Sequence, residues 1–383
     1  MLGPQEAIVI IASPETNADL FWATRFWAPD PIIFVQTGQD KIVLVNPLEF
    51  SRAKKEILGA RVLSEWNYYK RGNDLLKNEE SVTYITIVLH GILEELGVKT
   101  LNVQYEHFPY SHGKDLEKLG YTINPVASFL YERSIKTPQE ISYIEEISRY
   151  TDEAISQAVE ILKQAKINSA GFLALDETIV TSELLKQIVT AHLWKYNCLG
   201  AHTIISSGID SYEPHNEGHG PIKTHTPIVM DVFPRSLTNG YFTDTTRTFC
   251  KGKANKKLSR MFRAVLDAQQ AAIDILKPGL PAKETNVIAV AKLEEAGFQN
   301  KMLKGGPQGF IHGLGHGVGV EIHEKPSLNG STQDILEKNN IVTVEPGLYY
   351  PRVGGVRIED TLVITENGYR SLTNSPKERL EIA

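Results

Sequence analysis

Cysteine is nearly absent. Cys198 and Cys250 are the only two in 383 residues. Two thiols without CxxC spacing make no disulfide framework, no thiolate metal site and no redox pair, so a reducing compartment is expected. Positive charge is also in short supply. Forty Lys and Arg stand against 46 Asp and Glu, a formal charge of −6, which leaves no cationic excess to neutralise a phosphate backbone and argues against nucleic acid as a partner. Long apolar runs are missing too. The run Ala7 to Ala12 falls far below the roughly 20 residues that cross a bilayer, and the Met-Leu-Gly-Pro-Gln-Glu before it has no cationic character. No membrane partner is expected, and the location expected is cytoplasmic. Nucleotide-binding motifs fail as well. The glycines at 313, 315, 317 and 319 fit GxGxxG in no register, and neither Gly-Lys pair is followed by Ser or Thr.

What is present is an ordinary globular composition, 42% apolar and 22% charged, enough for two or three domains with real cores. The β-rich runs Ala7–Ala12, Ile32–Gln36 and Ile42–Val45, the helical stretch Tyr84–Leu96 and the runs Leu101–Gln104 and Gly120–Val126 read as a small α/β domain ending near Ser134, after a segment Ala127–Arg133. A helix then starts abruptly. Thr137 offers an N-cap, Pro138 the first helical position and Glu140 the return half of a capping box. Ile141, Ile144, Ile147, Thr151, Ile155, Val159 and Leu162 give that helix one apolar face as far as about Lys166.

Residues 135–383 show an architectural repeat of two helices followed by a β-hairpin. In the first half the helices are about Pro138–Lys166 and Leu175–Trp194, with strands Pro227–Phe233 and Tyr241–Cys250. In the second they are Lys257–Leu276 and Ala282–Ala296, closed by Pro278-Gly279 and Gly297, with strands Ile341–Pro346 and Val356–Thr365. Each hairpin carries two acids within otherwise apolar strands: Asp231 and Asp244, 13 residues apart, and Glu345 and Glu359, 14 apart. One acid in such a place is usually an outward-facing residue. Four at matched spacing suggest a buried charge, which costs several kcal/mol each unless cations compensate. The run His312-Gly313-Leu314-Gly315-His316-Gly317, with His323 beyond it, adds imidazoles among glycines that allow close backbone approach. Four carboxylates and one neutral imidazole balance two divalent ions. The donor set suits Mn²⁺ best and accepts Co²⁺, Fe²⁺ or Zn²⁺. Hydrolysis is the expected chemistry.

Asp231, Asp244-Thr245-Thr246-Arg247-Thr248-Phe249, His312-Gly313-Leu314-Gly315-His316-Gly317, Val344-Glu345-Pro346-Gly347 and Val356-Arg357-Ile358-Glu359-Asp360-Thr361 together resemble the pita-bread metallopeptidases, a family that includes Xaa-Pro dipeptidase, aminopeptidase P and methionine aminopeptidase. The resemblance runs from about Pro138 to Asn374, and the α/β segment before it is similar to the N-terminal domain of the creatinase, prolidase and aminopeptidase P branches. It implies an α+β chain: a C-terminal pita-bread fold with a pseudo-twofold repeat over 135–383, preceded by a smaller α/β domain over 1–134. It also implies a dinuclear-metal exopeptidase that hydrolyses the Xaa-Pro bond of dipeptides or short peptides through a metal-bridging hydroxide, and that works as a homodimer.

By the same resemblance Asp231 holds one metal, Asp244 and Glu359 bridge the pair, His316 binds the second, and Glu345 is ligand and proton shuttle. His312 and His323 contact substrate and stabilise the tetrahedral intermediate, His215 binds substrate, Arg357 organises the residues behind the ligands, and Tyr349 lies near the first metal. The compact stretch Tyr349 to Val356 is closer to microbial prolidases than to aminopeptidase P. Two features depart from the family. Val232-Phe233-Pro234-Arg235 follows the first Asp where a small residue and Gly are usual, in a hairpin about two residues longer than usual. Asn216-Glu217-Gly218-His219-Gly220 follows His215. His219 is there a candidate substrate contact, weighed against a solvated loop histidine, and His192, His202 and His225 are read as ordinary structural or surface residues. Other readings of the shell are an inactive peptide- or histone-binding module and a metal-free creatinase-type amidine hydrolase, both disfavoured by the intact ligand set.

Overall fold

Alternating runs of Ile, Val and Leu in the first third of the chain form a six-stranded mixed sheet, because β-branched side chains buried on both faces favour strands over helices. Its strands are β1 (Glu6–Ala12), β2 (Ile32–Gln36), β3 (Lys41–Val45), β4 (Arg61–Ser64), β5 (Thr100–Gln104) and β6 (Thr122–Val126), in the order β4-β3-β2-β1-β5-β6. β1, β2 and β3 pair antiparallel, whereas β4, β5 and β6 join parallel. The helices are α1 (Ala18–Thr24), α2 (Phe50–Glu56), α3 (Glu65–Leu76), α4 (Tyr84–Leu96) and α5 (Tyr110–Lys118). α3 and α4 cross at Gly72, where any Cβ would stand 2.0 Å from the carbonyl oxygen of Ile87. Two apolar clusters, one around Val9, Ile33, Leu89 and Ile92 and one around Ile10, Phe34, Leu20 and Val45, form its core. The computed structural model describes residues 2–76, 82–127, 131–303 and 306–382, so part of the segment Ala127–Arg133 lies outside the described residues.

The chain divides into two compact units, Met1–Arg133 and Ser134–Ala383. The second opens with α6 (Pro138–Gln164), whose capping box is complete: Thr137 accepts from the Glu140 amide, and the Glu140 carboxylate accepts from the Thr137 amide. Ile144, Ile147, Thr151, Ile155 and Leu162 are buried along one face as the periodicity requires, each apolar one worth about 1.5–3 kcal/mol on burial. α7 (Ser182–Trp194) starts later than the expected Leu175. Residues 173–179 instead form a tight hairpin, Leu173–Leu175 against Thr178–Ile179, turning at Asp176 with φ 50°. Thr181 then caps the helix by accepting from the Leu184 amide, a start signal that outweighs the apolar periodicity upstream. α8 (Lys256–Asp274) and α9 (Lys283–Glu295) fall close to expectation and pack over the core around Leu258, Val265, Leu293, Val342 and Leu362.

Each pair of helices is followed by an antiparallel hairpin. The first joins Ile228–Val232 to Thr245–Lys251, and the second joins Ile341–Val344 to Asp360–Ile364. The repeat extends one strand further. Ile204–Ser207 flanks the first hairpin antiparallel, and Gly315–Gly317 flanks the second. A two-stranded ribbon, Gly347–Tyr350 with Gly354–Arg357, interrupts the second hairpin, so the expected single strand Val356–Thr365 is broken at 358–359. The expected placement of four acids inside strands is therefore corrected for three of them. Only Asp231 lies within a strand. Asp244 immediately precedes one, Glu345 follows one, and Glu359 occupies the break. The reason is geometric: Glu345 and Glu359 flank the inserted ribbon, and the Asp244 and Glu359 amides pair across to the other hairpin instead of continuing their own ladders.

Candidate metal centre

The two hairpins meet edge to edge at their acids. The Glu359 amide donates to the Thr246 carbonyl at 3.0 Å, the Asp244 amide to the Thr361 hydroxyl at 3.2 Å, and the Arg357 amide to the Thr248 hydroxyl at 3.0 Å. Gly315 allows the histidine strand to join them. A Cβ there would sit 2.1 Å from the Thr343 carbonyl oxygen, so the close approach expected of these glycines is made to neighbouring backbone.

This convergence gathers Asp231, Asp244, Glu345, Glu359, His316, His312, His323, His215 and Arg357 around one cavity of ≈ 630 Å³. One ligand atom each from Asp244, His316 and Glu359 lies within 4.8 Å of the others, a group able to hold a metal ion. Asp231 and Glu345 border the group through different contacts. Asp231 pairs with Arg357 Nη2 at 2.5 Å, and Glu345 Oε1 stands 3.2 Å from His316 Nε2. His316 Nδ1 faces the Gly317 carbonyl at 3.1 Å. A carbonyl only accepts, so Nδ1 donates to it, which leaves Nε2, turned toward Glu345 and Asp244, as the nitrogen a metal ion would take.

Crowded buried acids are the electrostatic signature of the site. Burial raises the Asp244 and Glu359 carboxyls well above the usual carboxylate range, and the neighbouring acids push both further. Burial also works on Glu345, yet His316, His312 and Arg357 outweigh it and hold that carboxyl at about 2. Burial opposes protonation of His316, but contact with Glu345 raises it overall. Burial lowers His312 and His323. Asp231 Oδ1, Asp244 Oδ1 and Glu359 Oε1 are buried with no hydrogen-bond partner. Three orphaned carboxylate oxygens in one buried cluster are costly alone, and divalent cations would satisfy them. The residues fit the metal.

The metallopeptidase family M24 matches residues 142–366, and a Xaa-Pro dipeptidase from Pyrococcus furiosus is 31% identical over 344 residues, 90% of this chain and 87% of that one. The chain belongs to family M24. Its fold is prolidase-like throughout. The prolidase from Pyrococcus horikoshii OT3 superposes with a TM-score of 0.77 at 27% identity, covering 97% of this chain and 95% of that one. An X-Pro aminopeptidase from Thermotoga maritima shares the fold at a TM-score of 0.78 and 21% identity. It is thus a metallopeptidase with a small α/β domain ahead of its pita-bread domain.

Around this M24 centre several side chains escape sequence reasoning. Thr246 donates to Glu359 Oε2 at 2.6 Å and accepts from Arg357 Nε at 3.2 Å. Thr361 donates to the Asp244 carbonyl at 2.7 Å, and Thr343 accepts from the His316 amide at 3.1 Å and donates to Glu345 Oε1 at 3.3 Å. Each threonine stands two positions from an acid, a same-face spacing that was available as a signal. Behind them Arg247, almost fully buried, donates to the Glu359 carbonyl, to Asp360 at 2.7 Å and to the Ser375 carbonyl, while Lys377 also reaches Asp360. Tyr349 accepts from Arg357 Nη1 at 2.7 Å and lies 3.1 Å from His312 Nε2. His312 Nδ1 faces the Gly313 carbonyl at 2.7 Å, so Nε2 accepts from the tyrosine. Burial pushes the Tyr349 hydroxyl up to about 12, keeping it a donor.

Of the remaining histidines only His202 departs from expectation. His219 is exposed and absent from the cavity lining, whereas His202, read as an ordinary surface residue, lines it with Glu217 and Phe233. Loop 213–220 curls back on the strand Ile204–Ser207, a non-local contact that residue spacing does not reveal. His192 bridges α6 and α7, and His225 meets the Lys253 backbone, as structural residues. Among the described residues no helix is long and apolar enough to cross a membrane.

Proposed function

We propose that this M24 peptidase is an exopeptidase that hydrolyses the Xaa-Pro bond of dipeptides or short peptides. The reading rests above all on one observation: orphaned buried carboxylate oxygens from both hairpins, gathered in one cluster with His316. Asp231, Asp244, His316, Glu345 and Glu359 would hold two divalent ions, Mn²⁺ by preference, with Co²⁺, Fe²⁺ or Zn²⁺ as substitutes. Bound there, the ions supply a water of lowered pKa and polarise the scissile carbonyl. The chain's own residues do the rest. The ionised Glu345 carboxylate takes the proton of the attacking water and passes it to the leaving imino nitrogen of proline. His323, whose ring centre lies 4.3 Å from that of His316, meets the substrate carbonyl as it gains negative charge, and His312, fixed by Gly313 and Tyr349, contacts the substrate from the cavity wall. His215 binds substrate from the opposite loop, and Arg357 orients Asp231.

In this reading residues 135–383 are the catalytic domain and 1–134 the accessory one. The protein works as a homodimer in the cytoplasm, where its two buried free thiols stay reduced. Elemental analysis after Mn²⁺ loading is expected to find two ions per chain, with Ala-Pro cleaved by the loaded enzyme. Cleavage of Ala-Pro-Ala but not Ala-Pro would make it an aminopeptidase P-like enzyme instead. Loading without cleavage of either peptide would refute Xaa-Pro specificity.

A further inference from the structure

One acid of the cavity lies outside the cluster just described. Glu217 lines the same space, but its side chain is 49% exposed, and its carboxylate meets His202 Nδ1 at 3.0 Å instead of a guanidinium or ammonium. Its position is nonetheless fixed. The Glu217 carbonyl accepts from the Ile205 amide at 3.1 Å and from Lys186 Nζ at 3.2 Å, and Lys186 also donates to the Gly218 carbonyl at 3.0 Å. Glu183 accepts twice from the Gly220 amide, at 3.0 and 3.1 Å, and Asn216 accepts from the Gly218 amide at 3.0 Å. The loop holds a carboxylate at the cavity mouth on a rigid backbone.

The deep acids are spoken for by Arg357, His316 and the ions they would bind, so Glu217 is the acid that remains for substrate. The argument on substrate rests on the Xaa-Pro reading. In an Xaa-Pro dipeptide every positive charge belongs to Xaa, because proline's ring is apolar and the other terminus is a carboxylate. The α-ammonium is two bonds from the scissile carbonyl carbon and stays with it at the buried cluster. Only a long side chain carries a cation from there to the mouth. We propose that Glu217, positioned by His202, is a specificity-determining residue that receives the cationic side chain of Lys or Arg at the first residue of the substrate.

The test compares Lys-Pro with Glu-Pro on the Mn²⁺-loaded full chain, as a ratio of kcat/KM that cancels any loss common to both. The ratio is expected to favour Lys-Pro about tenfold at low salt and to shrink as salt rises. Glu217→Gln is expected to bring it within about twofold, and Glu217→Lys to invert it. An unchanged ratio in both variants, or no preference in the wild type, overturns the proposal. Calorimetry with the same two peptides separates this inference from the function it builds on. A charge preference in binding without cleavage of any Xaa-Pro bond would refute the function and leave the Glu217 assignment standing. Cleavage without preference would do the reverse, and failure of both peptides to bind would overturn both.

Discussion

Asp19 of the N-terminal unit and the clustered acids of the C-terminal unit answer burial in opposite ways. In the N-terminal unit, Asp19 is met by Arg133 Nη1 at 2.8 Å and by the Gln104 amide at 2.6 Å, so its charge is matched within the fold. In the C-terminal unit, the hairpins bring together carboxylates whose outer oxygens find no partner at all. The first arrangement is complete as folded. The second is a fold held short of neutrality, stable enough through its apolar core and threonine hydrogen bonds to carry acids that await a cation. Metal dependence should therefore reside in one unit only.

The sharpest way to break that contrast is Asp244→Asn. It removes a negative charge from the cluster and no core volume, so peptide cleavage is expected to fall by about 10³-fold or more while the circular dichroism stays native. Cleavage near the wild-type rate would show that the cluster is not the reacting centre.

Arg247→Met probes the support behind the cluster. It leaves Asp360 with Lys377 but without its guanidinium, and it strips the Glu359 and Ser375 carbonyls of a donor. Breaking a buried pair from one side costs about 3–5 kcal/mol, so denaturant unfolding of the C-terminal unit should shift by that amount and the N-terminal unit not at all. A shift below about 1 kcal/mol would mean that neighbouring donors replace the arginine.

Metal loading comes next in size. At free Mn²⁺ of 100 to 1,000 times its dissociation constant, linkage gives about 3–4 kcal/mol of stabilisation. Calorimetric scans should show the gain in the transition of the C-terminal unit, and a chelator should reverse it. An equal gain in both transitions would erase the distinction between the units.

Much of this was legible beforehand because it is local. The capping box at Thr137 and Glu140, the helix Tyr84–Leu96 and the spacing of acids along the hairpins are written in neighbouring residues. The family likeness followed from the same acids and histidines. What escaped depends on contacts between distant segments. The break at Glu359 exists because its amide pairs with Thr246 instead of continuing a strand, and His202 reaches the cavity only because loop 213–220 folds against residue 205. The late start of α7 is an intermediate case: the Thr181 cap is written in neighbouring residues, but the hairpin over 173–179 that precedes it is not.

Glu65 supplies the smallest effect and the cleanest check on the N-terminal unit. It opens α3, is 4% exposed and lies near Tyr84, whose hydroxyl it helps raise. Burial pushes its carboxyl up to about 7, above the unfolded value near 4.5. A carboxyl raised in the fold binds its proton more tightly there than in the unfolded chain. Its stabilising contribution is therefore fully present below pH 4.5 and is lost as pH rises to about 7. Glu65→Gln keeps the shape and the neutral state, so at pH 8 it should stabilise the N-terminal unit by roughly 2 kcal/mol after allowance for residual solvent screening. At pH 4 the substitution should change little. Thermal unfolding of both proteins across this range reads the difference directly, and a gain that is the same at pH 4 and pH 8 would show that the fold does not raise this carboxyl.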